Sequence, residues 1–153
     1  MSIEQQRATR SDRRRVPRGG RRASDRPGHF PPVLVAESYD GARRPCARYL
    51  DRFHFQVVEA VDGEEALSFI TGKVPHVILT EWSLPAMPAW RLTQWLAQSW
   101  RTRHIPVIVM TSDIAPNGDL TLPDIAAGVL VKPFALTSML DEVRRVLRIA
   151  AAG

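Results

Sequence analysis

Residues 75–81 read Pro-His-Val-Ile-Leu-Thr-Glu, an apolar run that ends in the acidic residue Glu81. The run 77–79 predicts a strand, because a short apolar stretch of this length is typical of a buried strand. Residues 33–36, Val-Leu-Val-Ala, form a similar run without polar alternation, as expected for a parallel strand that is covered on both faces. The two runs therefore favour a parallel sheet with a layer of helices on each side.

Further strands and helices alternate along the rest of the chain. Asp62, with Glu65 three residues later, resembles a capping box that begins a helix. The pattern predicts an α/β fold, a flavodoxin-like doubly wound five-stranded parallel sheet with flanking helices. The predicted strands are 33–36, 56–60, 77–79, 106–110 and 129–131, and the predicted helices cover about 41–52, the residues after 62, about 89–100 and the residues from 136 onward.

Positive charge is unevenly distributed between two regions. Residues 1–32 hold nine arginines and three acidic residues, whereas residues 33–153 hold 12 basic and 13 acidic residues. The first region lacks apolar periodicity, so we predict a tail, 1–32, that is disordered when free. Residues 33–153 form the predicted folded domain, and all of the net basic character belongs to the tail.

Composition also bounds the cellular setting. No apolar run reaches the roughly 18 residues of a membrane span, and no apolar segment of a secretory signal follows the basic N-terminus. Cys46 is the only cysteine, which excludes an internal disulfide and fits a reducing compartment. We therefore expect a cytoplasmic protein in which Cys46 is a buried core residue.

Polar residues follow four of the predicted strands. Because the carboxyl ends of parallel strands meet at one edge of a sheet, we expect these side chains to lie close together there. They are Glu37 and Ser38 after the first strand, Glu81 after the third, Thr111 and Ser112 after the fourth, and Lys132 after the fifth.

Five segments, in this order and spacing, resemble the receiver domain of bacterial two-component response regulators, the CheY-like superfamily. They are VLVAES (33–38), VVEAVDGEEAL (57–67), PHVILTEWSLPAMP (75–88), IPVIVMTS (105–112) and VLVKPF (129–134). The resemblance covers 33–149 and implies a phosphorelay signalling protein without catalytic turnover. In that family, an acidic pair and an acceptor aspartate hold Mg²⁺, and a Thr or Ser and a Lys bind the phosphoryl group that the aspartate accepts.

The sequence keeps part of that pattern and departs from it at three positions. Glu37, Thr111 and Lys132 match the family's acidic, hydroxyl and lysine positions. The acceptor position is Glu81, whose extra methylene places the carboxylate about 1.5 Å further into the pocket. Ser38 replaces the second acidic residue, and Val129 replaces the aromatic residue that relays the switch in the family.

These departures predict a pseudo-receiver that is not phosphorylated. A nucleophile that is misplaced by about 1 Å can lose roughly 100-fold in rate. We expect no cofactor, because Ser38 weakens any Mg²⁺ site by removing a carboxylate. Glu81 either mimics the acyl phosphate by pairing with Lys132 or forms a purely structural ion pair with it. The alternative is a conventional receiver that accepts phosphate.

The output is expected to be contact with a protein, either a sensor kinase or a downstream effector. Val129 removes the aromatic relay, and residues 113–123 contain two prolines and an Asn-Gly pair, which predict a short or displaced fourth helix. A fixed interaction surface fits both changes. No helix-turn-helix, kinase or cyclase segment is recognisable after residue 149, so we expect a stand-alone domain.

The tail suggests a second class of function. Its arginines either are simply solvated or bind anions such as nucleic acid or acidic lipid. Arg10 with Asp12, and Arg22 with Asp25, also resemble the paired elements with which some bacterial regulators bind cyclic di-GMP, although the spacer is one residue longer.

Four tryptophans cluster around the third strand and the helix that follows it. They are Trp82, Trp90, Trp95 and Trp100. We predict that Trp95 packs in the core and that packing is also the main role of Trp82 and Trp90, whose alternative role is to shield Glu81 or to anchor a partner.

Overall fold

The computed structural model describes residues 32–112 and 126–152. Except for Pro32, the predicted tail lies outside the described residues, as does the short helix predicted within 113–123. The described elements are β1 (Pro32–Ala36), α1 (Asp40–Arg52), β2 (Gln56–Ala60), α2 (Gly63–Gly72), β3 (Val77–Glu81), α3 (Ala89–Ala97), β4 (Val107–Thr111), β5 (Ala126–Val131) and α4 (Leu136–Ala152).

The five strands form one parallel sheet in the order β2-β1-β3-β4-β5. This arrangement confirms the predicted doubly wound α/β fold. The order reverses between β1 and β3, so the polar residues that follow these two strands face the same crevice.

Two apolar layers cover the sheet because successive residues of a strand point to opposite faces. Val33 and Val35 of β1 pack with α1 and α4, whereas Leu34 and Ala36 pack with α2 and α3. The apolar side chains of the three central strands are almost completely buried. Both faces of β1 are therefore covered, as predicted from the lack of polar alternation in residues 33–36.

The start of α2 agrees with the sequence pattern, whereas the end of α3 differs from it. The Asp62 side chain accepts a hydrogen bond from the Glu65 amide at 2.8 Å, so Asp62 is the N-cap of α2. The third helix ends at Ala97 rather than near Trp100. It ends early because the following turn is held by Thr102, whose hydroxyl donates to the Leu96 carbonyl at 2.7 Å.

The tryptophans divide into two groups. Trp82 and Trp95 pack against the core on the α2–α3 side, as predicted. Trp90 is 48% exposed, so the prediction that it packs is wrong. It lies outside the buried face of α3, which Ala89, Leu92 and Leu96 form. Trp100, for which no role was predicted, follows the end of α3 and is 75% exposed. Of the helices described, none is both long enough and apolar enough to cross a membrane.

The first turn of α2 provides a sensitive test of this packing. The Gly63 amide donates to the Pro85 carbonyl at 2.8 Å, and a Cβ added at Gly63 would lie 2.7 Å from the Met87 backbone nitrogen. We expect Gly63→Ala to lower the free energy of unfolding by about 1–3 kcal/mol in urea denaturation, because the backbone must shift to relieve the clash.

Gly72→Ala is the matched control, because a Cβ at the end of the same helix meets no atom within 4 Å. We expect it to leave stability unchanged or to raise it by up to about 1 kcal/mol. Equal effects of the two substitutions would contradict the close approach of α2 to the loop after β3.

Candidate functional site

The predicted polar residues meet at the carboxyl edge of the sheet. Glu37 and Ser38 follow β1, Glu81 ends β3, Thr111 ends β4 and Lys132 follows β5. Three of them, Glu81, Thr111 and Lys132, line a cleft of about 110 Å³. Glu37 and Ser38 are not part of its lining, but they contact Lys132 and Glu81 respectively. The residues that line the cleft are Glu81, Trp82, Ser83, Met110, Thr111, Ser112 and Lys132.

Lys132 is positioned by the end of β4 and by a buried carboxylate. Its amide donates to the Thr111 carbonyl at 2.8 Å, and the peptide bond that follows, to Pro133, is cis. Its Nζ lies against Oε1 of Glu37, and it is 3.9 Å from Oε2 of Glu81. The predicted Lys132–Glu81 pair is thus the longer of two contacts, and Glu37 is the closer partner.

Glu37 lies beneath the cleft and is fully buried. Its second carboxylate oxygen accepts from the Tyr39 amide at 3.4 Å. A buried carboxylate without a counter-charge is costly, because the charge loses its hydration. The Lys132 ammonium therefore serves first to compensate Glu37.

Glu81 is held at its other oxygen by Ser38. The Ser38 hydroxyl donates to Oε1 of Glu81 at 2.8 Å. One oxygen of this carboxylate therefore faces a residue that follows the neighbouring strand β1, and the other faces Lys132, which follows β5. An acidic residue at position 38 would place a second negative charge beside Glu81. The serine replaces that repulsion with a hydrogen bond.

Arg43, which the pattern of apolar residues on α1 did not single out, supports the site from behind. It is 5% exposed and donates to the Glu37 carbonyl at 2.9 Å, to Glu59 at 3.0 Å and to Asp40 at 2.6 Å. The hydrogen bond from Arg43 holds the pKa of Asp40 below its usual value. The spacing of Asp40 and Arg43 by three residues was the available signal, because such residues are neighbours on a helix.

Cys46 of α1 lies in the core layer next to the site, as predicted. Burial, and secondarily the Glu37 carboxylate, raise the pKa of its thiol to about 11. The thiol therefore stays protonated at neutral pH and is a poor nucleophile.

The remaining predicted positions lie away from the cleft. Val129 is half-buried on β5 and pairs with Val109 of β4. The tail residues Arg10, Asp12, Arg22 and Asp25 lie outside the described part of the chain.

The pocket fits Mg²⁺ poorly. Within residues 32–112 and 126–152, no cluster of three or more His, Cys, Asp or Glu side chains is arranged to hold a metal ion. Glu37 already lies against Lys132, and Ser38 adds a neutral hydroxyl that donates to Glu81. A dication would have to displace the lysine from Glu37, whereas Mg²⁺ sites need oxygen ligands in near-octahedral geometry.

Comparison with known proteins identifies the family to which the chain belongs. The sequence profile of the response regulator receiver domain matches residues 33–144. The chain belongs to the response regulator receiver domain family. The match includes residues of all five strands and every residue that lines the cleft.

Relatives in the family are distant in sequence and longer than this chain. The phosphate regulon transcriptional regulatory protein PhoB of Klebsiella pneumoniae is 27% identical over 117 residues, which are 76% of this chain and 51% of PhoB. The response regulator PleD of Caulobacter vibrioides is 28% identical over 118 residues, 76% of this chain and 26% of PleD. The chain therefore spans about half or less of the length of these relatives.

Solved structures agree on the fold. The chemotaxis response regulator CheY4 of Vibrio cholerae superposes with a TM-score of 0.70 at 24% identity, covering 76% of this chain and 98% of CheY4. The signal receiver domain of a histidine kinase from Syntrophus aciditrophicus gives a TM-score of 0.70 at 24% identity, covering 77% and 90% of the two chains.

Removal of the lysine tests its assigned partner. Lys132→Met leaves Glu37 buried without a counter-charge, so we expect the free energy of unfolding at neutral pH to fall by about 2–3 kcal/mol. This is less than for a fully buried pair, because the lysine side chain is 29% exposed. Urea denaturation followed by circular dichroism measures the change.

Two further variants serve as controls. Glu37→Gln in the Lys132→Met background should restore most of the loss, because the uncompensated charge is gone. Lys73→Met removes an exposed lysine that only hydrogen-bonds Gln56 and should change stability by less than about 0.5 kcal/mol. If the two lysine variants lose the same stability, Lys132 does not compensate a buried charge.

Proposed function

We propose that this receiver domain signals without being phosphorylated, by presenting a fixed surface to a protein partner. The observation that carries the proposal is the hydrogen bond from Ser38 to Glu81 at 2.8 Å. It joins two of the three positions at which the chain departs from the family pattern. The residue in the acceptor position is thus tied to the residue that replaces a family metal ligand.

The geometry disfavours nucleophilic attack by Glu81. An attacking carboxylate oxygen must point at the phosphorus, in line with the leaving group, within a pocket that neutralises the transferred charge. One oxygen of Glu81 accepts from Ser38, and the other faces Lys132. The longer side chain places its own carboxylate next to the lysine, on the side of the cleft where a phosphoryl group on an aspartate would lie.

The positive charge of Lys132 is also committed elsewhere. Lys132 lies closest to Glu37, which is buried and requires compensation whether or not Glu81 is modified. This favours a structural role for Glu81 over mimicry of an acyl phosphate, because a mimic would hold the lysine as its main partner. We infer that the pocket has one stable arrangement and that Mg²⁺ binds it weakly at most.

A fixed pocket implies a constitutive output. Receiver domains act by contact with kinases or effectors, and no described residue forms a site for turnover of a substrate. Val129 offers no aromatic ring to change rotamer when the pocket changes. The response of the partner therefore depends on the concentration of this protein and not on its modification state.

A conventional phosphate-accepting receiver is the second candidate. It is supported by the retention of Thr111 and Lys132 on the wall of a cleft with room for a small anion. The two candidates differ in whether Glu81 forms a covalent adduct.

Reaction with a small phosphodonor separates the candidates. We expect acetyl phosphate with Mg²⁺ to add no mass to the wild-type protein in intact mass spectrometry. The double variant Ser38→Asp with Glu81→Asp should gain the mass of one phosphoryl group, because it regains a nucleophile of the family's length and a second carboxylate for the metal.

Ser38→Asp with Glu81→Asn is the matched control, since it keeps the second carboxylate but lacks a nucleophile, and it should gain nothing. A phosphoryl adduct on Glu81 of the wild-type protein would overturn the proposed function and favour the conventional receiver.

A further inference from the structure

The end of the domain opposite the cleft carries a set of basic residues. In this fold the helices run antiparallel to the strands, so helix C-termini and strand N-termini share one edge. We define the basic edge as residues 51–55, 73–76, 98–106 and 144–148. The Arg144 guanidinium lies 5.4 Å from the centre of the Phe53 ring, and Lys73 Nζ donates to Oε1 of Gln56, the residue after 51–55, at 3.2 Å. The Pro106 carbonyl accepts from the Ile78 amide, two residues after 73–76, at 3.0 Å.

Charge on the domain is polarised between its two ends. Asp51 is the one acidic residue within the basic edge, and Arg145 there is already paired with Glu142. The opposite end, residues 37–40, 59–65 and 81, holds seven acidic residues. A nearly neutral domain therefore presents one strongly cationic end. Its exposed cations are Arg52, Lys73, Arg101, Arg103, Arg144 and Arg148.

A hydrogen-bonded turn carries an exposed indole ring beside two of these cations. Trp100 is 75% exposed and is followed by the exposed Arg101 and Arg103. Ser99 holds the turn, because its hydroxyl accepts from the Arg101 amide at 3.2 Å and its carbonyl accepts from the Arg103 amide at 2.9 Å. The buried Thr102 anchors the turn to α3. An exposed tryptophan next to two exposed arginines is available for stacking.

These features identify the chemistry of the occupant. Arginines bind phosphate oxygens through paired N–H donors, and an exposed indole stacks on unpaired bases. We propose that the basic edge binds single-stranded nucleic acid, with Arg101 and Arg103 on phosphates and Trp100 stacked on a base. The proposed absence of phosphorylation at Glu81 is not required for this binding.

Other occupants fit the surface less well. A second copy of the chain would place like charges against each other across a two-fold axis. A membrane surface would need a broad apolar face, but Trp100 is the one large exposed apolar side chain that the described residues place at this edge. The Arg-rich segment 1–31 is itself cationic, so like charge disfavours it as the occupant of this surface.

Binding of a fluorescein-labelled oligothymidylate to the full-length protein tests the proposal, with fluorescence anisotropy measured at several NaCl concentrations. We expect the double variant R101Q/R103Q to bind roughly tenfold more weakly than wild type at low salt. The slope of log K against log salt should fall by about 1.4, because two phosphate contacts on a single strand are lost. Trp100→Ala should weaken binding by roughly tenfold and leave the slope unchanged.

The double variant R44Q/R91Q is the matched control, because it removes the same charge from exposed arginines near the opposite end of the domain. It should bind almost as wild type does. Equal losses for the two double variants would overturn the proposal, since general attraction would then explain the binding. An unaffected Trp100→Ala would overturn the stacking contact, and with it the preference for a single strand.

Phosphatidylserine vesicles distinguish a membrane from a nucleic acid. The proposal predicts that R101Q/R103Q and R44Q/R91Q co-sediment with vesicles equally. A loss of vesicle binding that is confined to R101Q/R103Q, together with unchanged oligothymidylate binding, would assign the basic edge to a lipid surface instead and overturn the proposal.

Discussion

The contact between the buried Glu37 carboxylate and the Lys132 ammonium is the constraint on which the site depends. It joins the residues that follow β1 and β5, which are separated by β3 and β4 in the sheet. A buried charge must be compensated, because its hydration is lost and its field is poorly screened. Lys132 is therefore committed to Glu37, and Glu81 takes what remains: a longer contact to the lysine and a hydrogen bond from Ser38.

This hierarchy changes the meaning of the acidic residue in the acceptor position. If Glu81 held Lys132 as its main partner, the side chain would imitate a phosphorylated aspartate. Because Ser38 is the closer partner of Glu81 instead, the charges of the pocket are balanced by the side chains of the pocket itself. Arg43 adds to this arrangement by fixing the Glu37 carbonyl from the core side. The proposed output is accordingly constant, and any regulation would act on the amount of protein or on other surfaces, such as the basic edge.

Much of the fold followed from the sequence, because apolar runs such as 33–36 report directly on strands that are buried on both faces. The residues of the cleft also followed, since parallel strands bring their ends together. The choice of partner for Lys132 did not, because Glu37 and Lys132 are 95 residues apart and two carboxylates, those of Glu37 and Glu81, compete for the lysine. The buried Arg43 and the exposed Trp100 were missed for a related reason: each depends on where a helix sits or ends. The difference in charge between the two ends of the domain can be recognised only when the directions of the helices and strands are known.

Beryllofluoride with Mg²⁺ mimics the acyl phosphate and its metal. Its addition tests most directly whether the charged side chains of the pocket are already satisfied by one another. The measurement is the ¹H–¹⁵N correlation spectrum of the full-length protein during titration. If Ser38 and Lys132 already satisfy Glu81, the amide resonances of residues at the strand ends will not shift beyond the effect of salt alone. Saturable shifts at Glu81, Thr111 and Lys132 would show that the pocket opens to accept a phosphoryl-like anion, and would contradict the account.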